Sequence, residues 1–482
     1  MRASHRGWVV AAICLGMFMS AMEATVVATA MPTVVADLHG FDLYGWVGSI
    51  YMLASTVTIP LWGKLADLRG RKPVLLAGLG LFLLGSVTSG LSQSMLQLVV
   101  FRALQGIGAG SLQPVSLTIV GDLYSVEERA KVQGLFGAIW GTAGVAGPLL
   151  GGLIVHALSW RWVFYINVPF GLIAAAILVM MFNESARPDA ERHLDWAGAA
   201  LMSVAVMSLL LGVGGRWPGL TLSLSLAATA GFIAVERRVA EPIVPPSLFA
   251  NRAITVASVA GTLMGVVMMS SLIFLPLYVQ AVRGGSPTEA GSAVAPMLVG
   301  WPIAGTLSGR ALARTGPRVF VRGGLALVAL GTVATAMLLQ RHASVLSLRV
   351  AMFVFGVGMG AANTALVVAV QESVGWGQRG VATASTMFFR SIGGAVSVGA
   401  LGALLSHRLH GVVDEGQVNA ILSHEQGASA ASLSQVAGAL GAAMMPLFAI
   451  IAFAGVAAMF AGFTFPEVQL ARGPRAEPVP VE

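Results

Sequence analysis

The sequence contains few charged residues and a single cysteine. Only 10% of its 482 residues are Asp, Glu, Lys or Arg and 56% are hydrophobic, so the polar surface that a soluble protein needs is missing. The lone Cys14 excludes an intramolecular disulfide framework and any multi-cysteine metal site. A GxxxxGK[ST] phosphate loop and an HExxH zinc motif are also absent. ATP-driven transport, a metal site and an enzymatic function are therefore not expected.

Hydrophobic residues come in blocks of about 20, long enough to cross a hydrocarbon core about 30 Å thick as helices. The pattern predicts an all-α polytopic membrane protein, and its net charge of +7 is read as basic residues around the spans rather than a nucleic-acid surface. Fourteen spans are predicted, at 8–31, 45–65, 74–92, 96–121, 132–157, 161–182, 196–214, 218–236, 253–280, 289–310, 320–339, 344–370, 380–405 and 434–463.

The basic residues predict the orientation of these spans. With a cytoplasmic N-terminus, 20 of the 28 Lys and Arg residues lie on the inner side and 6 on the outer side. The other 2, Arg102 and Arg390, fall within the membrane. Because inner loops are enriched in Lys and Arg, both termini are expected in the cytoplasm of a cell-membrane protein. The loop 406–433, with its His and acidic residues, is expected to be a solvated outer loop rather than a metal site.

An internal repeat divides the chain. Residues 106–110 (GIGAG) align with 356–360 (GVGMG) at an offset of 250, and the loop 63–72 has a worn counterpart at 309–318. The repeat predicts two six-helix halves, 1–192 and 253–482, separated by an inserted helix pair in 193–252. Repeats of this kind place a substrate site near mid-membrane between the halves, which rock to alternate access.

The loop after the second span reads GKLADLRGRK, from Gly63 to Lys72. Its glycines allow close backbone approach and a tight turn, and Asp67 is suited to accept hydrogen bonds from basic groups or from a helix N-terminus. An ordinary basic loop is the alternative. The spacing favours a charged cluster that holds helix ends together in one conformation and releases them in the other; its predicted residues are Gly63, Asp67, Gly70, Arg71, Lys72 and Asp122, with Asp122 as a partner for Arg71.

Glu23 is a carboxylate inside an apolar span, where an ionisable group faces a partner or a cavity. A rise of about 1.5 Å per residue places it ~12 Å from the outer end of its span, and places Arg102 ~9 Å from the outer end of an oppositely directed span. The two side chains are therefore expected to meet. A permanent ion pair would be structural, whereas a pair that separates as water access changes would carry protons.

The fifth span contains a run of glycines and one proline. Gly137, Gly141 and Gly144 form a flat stripe at helical spacing, against which another helix is expected to pack. Pro148 removes a backbone hydrogen bond and is expected to bend the helix. The candidate motif residues in this run are Gly141, Gly144, Gly147, Pro148, Gly151 and Gly152.

These motifs together resemble the major facilitator superfamily, and within it the fourteen-span drug:proton antiporter family. The loop 63–72 is similar to that superfamily's signature loop, and FRALQG at 101–106 to its R-x-x-Q-G motif, implicated in proton transfer. The run GxxGxxGPxxGG at 141–152 resembles the motif of its exporters. The segments WRWVFYINVPFG at 160–171, MEATVVATAMP at 22–32 and LPLYVQ at 275–280 resemble the antiporter family, which normally has aspartate where Glu23 stands. The resemblance implies export coupled to protons, with Glu23 and Arg102 as the proton-coupling residues.

The predicted substrate cavity contains polar and aromatic side chains, namely Gln113, Trp140, Asn363 and Arg390. Glu23 is the one obvious mid-membrane carboxylate, so lipophilic or monocationic compounds are expected. Arg390 has no carboxylate at its depth in the second half, which leaves two roles open. It binds an anionic group, or it donates to backbone carbonyls.

The leading hypothesis is a proton-coupled exporter of lipophilic or cationic drugs. Export of one specific metabolite, lipid or antibiotic is one alternative, and a non-transporting membrane receptor or scaffold is another. We expect small-molecule substrate and membrane lipid as partners, a monomeric protein, and no cofactor other than the proton gradient.

Overall fold

The computed structural model describes residues 3–39, 43–184, 195–215, 217–410 and 430–470. Long helices account for nearly all of these residues. Most of the predicted loop 406–433 lies outside the described residues. The helices are α1 (Ala3–Leu38), α2 (Tyr44–Arg69), α3 (Arg71–Gly90), α4 (Met95–Leu123), α5 (Val126–Ala157), α6 (Trp162–Tyr165), α7 (Asn167–Met181), α8 (Trp196–Val213), α9 (Pro218–Glu236), α10 (Arg252–Leu277), α11 (Pro287–Thr315), α12 (Pro317–Gln340), α13 (Val345–Glu372), α14 (Arg379–Leu409) and α15 (Ala430–Phe463).

Counting α6 and α7 as one interrupted helix, the described residues contain fourteen long helices. Twelve segments among the described residues are long and apolar enough to cross a membrane. The helices α2 and α5 are not among the twelve, and α2 carries Gly, Ser, Thr, Tyr and Trp between its apolar residues. The protein is therefore a multi-pass membrane protein, and a count of fourteen spans stays a prediction.

The glycine-rich segments of the sequence repeat occupy equivalent places in the fold. Gly106 of α4 lies against α2, where an added Cβ would be 2.5 Å from the Tyr51 carbonyl oxygen. Gly356 of α13 lies in the same way against the Met297 carbonyl of α11. Small residues let helix backbones approach this closely. The repeat in the sequence therefore corresponds to a repeat in the way the helices pack.

Buried apolar residues form separate cores along the chain. One core takes its residues from 248–465, including Tyr278 and Phe355. A second draws on residues 9–244, with Met387 and Phe388 of α14 added to it. The helix α14 therefore contributes to both cores and ties the two parts of the chain together. The domain boundaries at 192 and 252 stay predictions.

The helices α8 and α9 form a pair that packs beside this arrangement. The Ser225 hydroxyl of α9 donates to the Ala205 carbonyl of α8 at 2.8 Å. At the end of α9, the Glu236 carboxylate accepts from the backbone N–H groups of Ile243 and Val244 at 3.0 and 2.9 Å. The pair contacts both α2 and α14. It therefore touches the helices that meet between the two cores.

Candidate functional site

The helix bundle has two ends, which we name by residue. The Arg71 end is where α2 ends and α3 begins, and the Asp37 end is where α1 ends. Each group of predicted site residues lies at one of these ends or between them. The helix packing sets which of these residues meet.

Glu23 of α1 and Arg102 of α4 form an ion pair between the two ends. The Arg102 Nη1 donates to the Glu23 Oε1, and each residue is only 2% exposed. The Arg102 Nε donates to the Val47 carbonyl at 3.2 Å, and its guanidinium carbon lies 4.2 Å from the centre of the Tyr51 ring. The structure therefore brings together the two residues that the depth estimate paired.

Polar side chains from two further helices complete this site. The Asn167 amide of α7 donates to the Glu23 Oε2 at 2.7 Å and to the Ser86 hydroxyl of α3 at 3.0 Å. The Gln105 side-chain oxygen accepts from the Arg102 Nη1 at 2.7 Å. Both carboxylate oxygens of Glu23 thus have a donor. From the sequence, the segment 160–171 was used only as a family resemblance, and neither Asn167 nor Ser86 was predicted as a site residue.

Of the predicted cavity residues, the structure joins two. The Arg390 Nη1 donates to the Asn363 Oδ1 at 2.5 Å, and both side chains line one small cavity. Gln113 of α4 and Trp140 of α5 are not among the described residues that line it. Trp140 is 39% exposed. Its place in a substrate cavity stays a prediction.

The partly exposed positions of α4 and α13 repeat. In the otherwise buried stretch 105–121 of α4, Ile107 and Gln113 alone are partly exposed, and in 355–371 of α13 the same holds for Val357 and Asn363. These pairs are separated by the repeat offset of 250. Equivalent positions of the two helices are therefore less closely packed, and Gln113 and Asn363 are the polar residues among them.

At the Arg71 end, Asp67 links α2 to the beginning of α14. Its carboxylate accepts from the backbone N–H groups of Gly380 and Val381 at 3.0 and 2.7 Å. A carboxylate at a helix N-terminus is stabilised by unpaired N–H groups and by the helix dipole. Gly63 permits this approach, because a Cβ there would lie 2.8 Å from the Gly380 carbonyl oxygen.

Arg71 connects this contact to α4. Its guanidinium forms ion pairs with Asp67 and Asp122, each at 3.1 Å, and lies 3.8 Å from the centre of the Trp376 ring. Gly70, with φ of 93°, makes the turn that places Arg71 at the start of α3. Lys72 is less central, because its Nζ donates to the exposed Val179 carbonyl at 2.9 Å.

Two further ion pairs at the Arg71 end cross between the repeats. Asp122, at the end of α4, pairs with Arg379 of α14 at 2.9 Å, and Glu372, at the end of α13, pairs with Arg129 of α5 at 3.0 Å. Asp122 and Glu372 are repeat equivalents, as are Arg129 and Arg379. Each half therefore supplies the acid for one bridge and the base for the other.

The glycines of α5 serve two packing partners. Gly137 and Gly141 lie against Pro302 and Leu298 of α11, whereas Gly147 and Gly151 lie against Thr25 and Thr29 of α1. A Cβ on Gly152 would meet nothing within 4 Å. The helix continues through Pro148. Nothing is described of the surroundings of Gly144 and Pro148.

Comparison with known proteins identifies the family of this chain. The model for the Major Facilitator Superfamily matches residues 13–398. The chain belongs to this superfamily. It is thus a membrane transporter by family rather than an enzyme.

Proteins with similar sequences include some that are named multidrug transporters and efflux pumps. The chain is 38% identical over 416 residues to "Multidrug transporter protein MdtP" of Bacillus subtilis, covering 84% of this chain and 76% of that protein. It is 37% identical over 410 residues to "Multidrug resistance protein 3" of the same organism, covering 82% and 79%. "Efflux pump dotC" of Dothistroma septosporum is 32% identical over 422 residues, covering 83% and 72%.

Solved structures share the fold. The proton:xylose symporter XylE matches with a TM-score of 0.65 at 13% identity, over 97% of each chain. The human organic anion transporter MFSD10 matches with a TM-score of 0.61 at 17% identity, over 94% of this chain and 99% of that one. The structural similarity shows the all-helical fold, and at identities this low it says nothing about substrates.

Proposed function

We propose that the protein is a proton-coupled exporter of lipophilic or cationic small molecules, of the fourteen-span drug:proton antiporter type. The observation that carries the proposal is Glu23, a membrane-depth carboxylate paired with Arg102 and held by Asn167. Relatives named as multidrug transporters and efflux pumps support a small-molecule drug substrate. The glycine and proline motif at 141–152 supports export as the direction.

Glu23 suits proton exchange because its partners favour two states of the site. When Glu23 is ionised, Arg102 and Asn167 satisfy its two oxygens. Protonation neutralises the carboxylate and leaves the Arg102 guanidinium with the Val47 carbonyl and the Gln105 oxygen. A buried charge that loses its partner favours a conformation in which it reaches water. Binding a proton at Glu23 therefore favours a change of access.

The contacts at the Arg71 end support alternating access. Asp67, Asp122 and Glu372 hold α2, α4 and α13 to α14 and α5 at this end. If this end faces the cytoplasm, as the basic residues predict, the described conformation is closed to the cytoplasm. Opening this end breaks those ion pairs. The proposal includes cytoplasmic termini in the cell membrane, six-helix halves at 1–192 and 253–482, the inserted pair between them, and a monomeric protein.

A reconstituted transport assay tests the proposal. Purified protein in liposomes is given a fluorescent lipophilic cation with an imposed pH gradient, and uphill transport and gradient-free exchange are measured separately. Glu23→Gln is expected to abolish uphill transport while exchange continues, because Gln retains the shape of the side chain but carries no exchangeable proton. Glu23→Asp retains part of the uphill transport.

The matched control is Asp37→Asn, which neutralises an ion-paired carboxylate outside the proton site. It is expected to leave uphill transport intact. Unchanged uphill transport by Glu23→Gln sinks the proposal. Loss of both uphill transport and exchange in a folded Glu23→Gln protein assigns the pair a structural role. A panel that yields one accepted compound class favours the specific exporter, and no transport of any compound favours the receptor or scaffold.

A further inference from the structure

Arg390 is a membrane-depth base for which the described residues supply no acidic partner. Arg102 has Glu23, whereas Arg390 forms no ion pair with any residue that the structure describes. Its recorded hydrogen bond goes from Nη1 to the Asn363 Oδ1 at 2.5 Å. No backbone carbonyl accepts from its guanidinium among the described residues. Of the two roles left open by the sequence, carbonyl capping therefore has no support.

The surroundings of Arg390 form a built cavity. It lies between α10, α13 and α14, and its lining includes Gly261, Met264 and Leu366 beside Asn363 and Arg390. Among the described residues that line it, there is no carboxylate and no other base. It offers about 20 Å³ of space for the centre of a water molecule, so a small polar group fits beside the guanidinium.

Close helix packing fixes Arg390 in this cavity. Gly265 of α10 lies against the Arg390 carbonyl, and Gly394, one turn further along α14, approaches Met269. The backbone at Arg390 is therefore held tightly while its side chain is partly exposed. Asn363 is partly exposed as well and lines the same cavity. The guanidinium is therefore reachable from the cavity that both side chains line.

We propose that Arg390 and Asn363 bind the carboxylate of an amphiphilic organic anion, whose apolar part lies along the apolar lining of this cavity, at Met264 and Leu366. The inference rests on the proposed export function and adds a substrate class to it. A guanidinium presents N–H donors in a planar fork that matches a carboxylate, and the Asn363 amide supplies a further donor. Glu23 is less suited to bind a cationic group in this way, because both of its carboxylate oxygens already accept hydrogen bonds.

Direct binding tests this inference without any pH gradient. The protein in nanodiscs of neutral lipid is titrated with 11-(dansylamino)undecanoic acid and, separately, with its methyl ester, and protein-free nanodiscs give the background. Because hydrogen bonds to a charged group are worth about 1.5–3 kcal/mol, the acid is expected to bind about tenfold or more tightly than the ester. Arg390→Gln should bring the two affinities together by weakening the acid alone.

Two further variants separate binding from folding. Asn363→Asp places a carboxylate beside Arg390, so it keeps the guanidinium paired and the protein folded while it competes with the acid. It is expected to remove the preference for the acid. Arg349→Gln is the matched control, because Arg349 lies in the same half, outside the cavity, and donates to Ser292 at 2.6 Å. It should keep the preference.

The outcomes distinguish this inference from the proposed function. Equal affinities for acid and ester in the wild type, or an unchanged preference in Asn363→Asp, overturns the anion site whatever Glu23 does. A preference that depends on Arg390, together with unchanged uphill transport in Glu23→Gln, supports the site and contradicts the proton coupling.

Discussion

A network of hydrogen bonds surrounds Glu23, the membrane-depth carboxylate of α1. Glu23 and Arg102 were found in the sequence because ionisable residues are rare in apolar spans. Asn167 and Ser86 were missed because neutral polar residues occur in membrane helices without such rarity. Pro169 was the available signal: proline is favoured in the first turn of a helix, so it indicates a helix beginning near Asn167. The structure begins α7 at Asn167.

Asp37 is the acidic residue of a second pair, at the other extreme of exposure. Its carboxylate accepts from the Trp160 indole N–H at 2.9 Å and from Arg161 at 2.9 Å, and its side chain is 48% exposed. It lies beyond the candidate span His5–Val27. The hydrogen bond from Trp160, followed by that from Arg161, holds the pKa of Asp37 below its ordinary value. The pair ties the end of α1 to the segment before α6.

The depressed pKa of Asp37 predicts a pH-dependent contribution to stability. The ionised form is favoured in the folded state, so the contribution is present above the unfolded pKa and is lost as pH falls through the lower folded pKa. Asp37→Asn is expected to lower Tm by less than about 2 °C at neutral pH, because exposed pairs contribute little. The difference from wild type should begin to shrink as pH falls below the usual Asp pKa of about 4, and should vanish only below the lower folded pKa. Thermal unfolding in detergent from pH 3 to 8 measures it.

Arg161→Gln serves as the partner control. It removes the base from the same pair and should show a similar loss of its effect in acid. A difference between wild type and Asp37→Asn that grows as the pH falls would contradict the assigned cause.

Among the helices, α5 shows how one glycine run meets two neighbours. Its early glycines lie against α11 and its later ones against α1, so one glycine run packs against two different helices. The sequence predicted a single flat stripe at Gly137, Gly141 and Gly144. It did not predict the change of partner, because helical periodicity gives the face of a helix and not the identity of the helix packed there.

Neighbouring glycines of this run offer a matched pair of substitutions. A Cβ on Gly147 overlaps the Thr25 hydroxyl, which donates to the Met22 carbonyl at 3.0 Å, whereas a Cβ on Gly152 enters open space. Gly147→Ala is expected to destabilise the protein by about 1–3 kcal/mol, the usual effect of overpacking. Gly152→Ala is expected to be neutral or to stabilise by up to about 1 kcal/mol through helix propensity. Unfolding in a denaturing detergent measures both.

Gly147→Ala should also slow transport, because α1 carries Glu23 and packs on α5 at this point. Equal stability of the two variants would show that α1 and α5 separate more easily than their packing indicates.

Helix positions were largely predictable from the sequence, and their ends were not. The spans predicted at 45–65 and 380–405 lie within α2 (Tyr44–Arg69) and α14 (Arg379–Leu409). Hydropathy identifies the apolar part of a helix, whereas these helices continue past the predicted spans to carry Asp67 and His407. The predicted span 161–182 is divided into α6 and α7, since hydropathy does not detect a break between apolar residues.

Across the whole molecule, ion pairs formed by residues at equivalent positions join the two repeats. Asp122 and Arg129 recur 250 residues later as Glu372 and Arg379, and each acid pairs with the base of the other half. From the sequence, only the Asp122–Arg71 contact was predicted. The crossed pairing depends on the approach of the halves, which no local pattern in the chain specifies.

Breaking one crossed bridge should shift the conformational equilibrium. Arg379→Gln removes the base that pairs with Asp122 and leaves the Glu372–Arg129 bridge in place, so the molecule stays folded while the Arg71 end is held less firmly. Because a charged hydrogen bond contributes about 1.5–3 kcal/mol, the fraction open at this end should rise about tenfold or more. Spin labels at the exposed Arg69 and Gln378, after Cys14→Ser has removed the single cysteine, report the distance between the halves.

The expected result is a longer-distance population that grows in Arg379→Gln and is absent from Arg314→Gln, which removes an exposed base from the second-half counterpart of the loop 63–72. Because opening separates both crossed bridges at once, adding Arg129→Gln should enlarge that population further. If distances between Arg69 and Gln378 stay unchanged in the double variant, the bridges do not hold the Arg71 end closed. Closure then depends on the Asp67 carboxylate at the start of α14, which both variants leave intact.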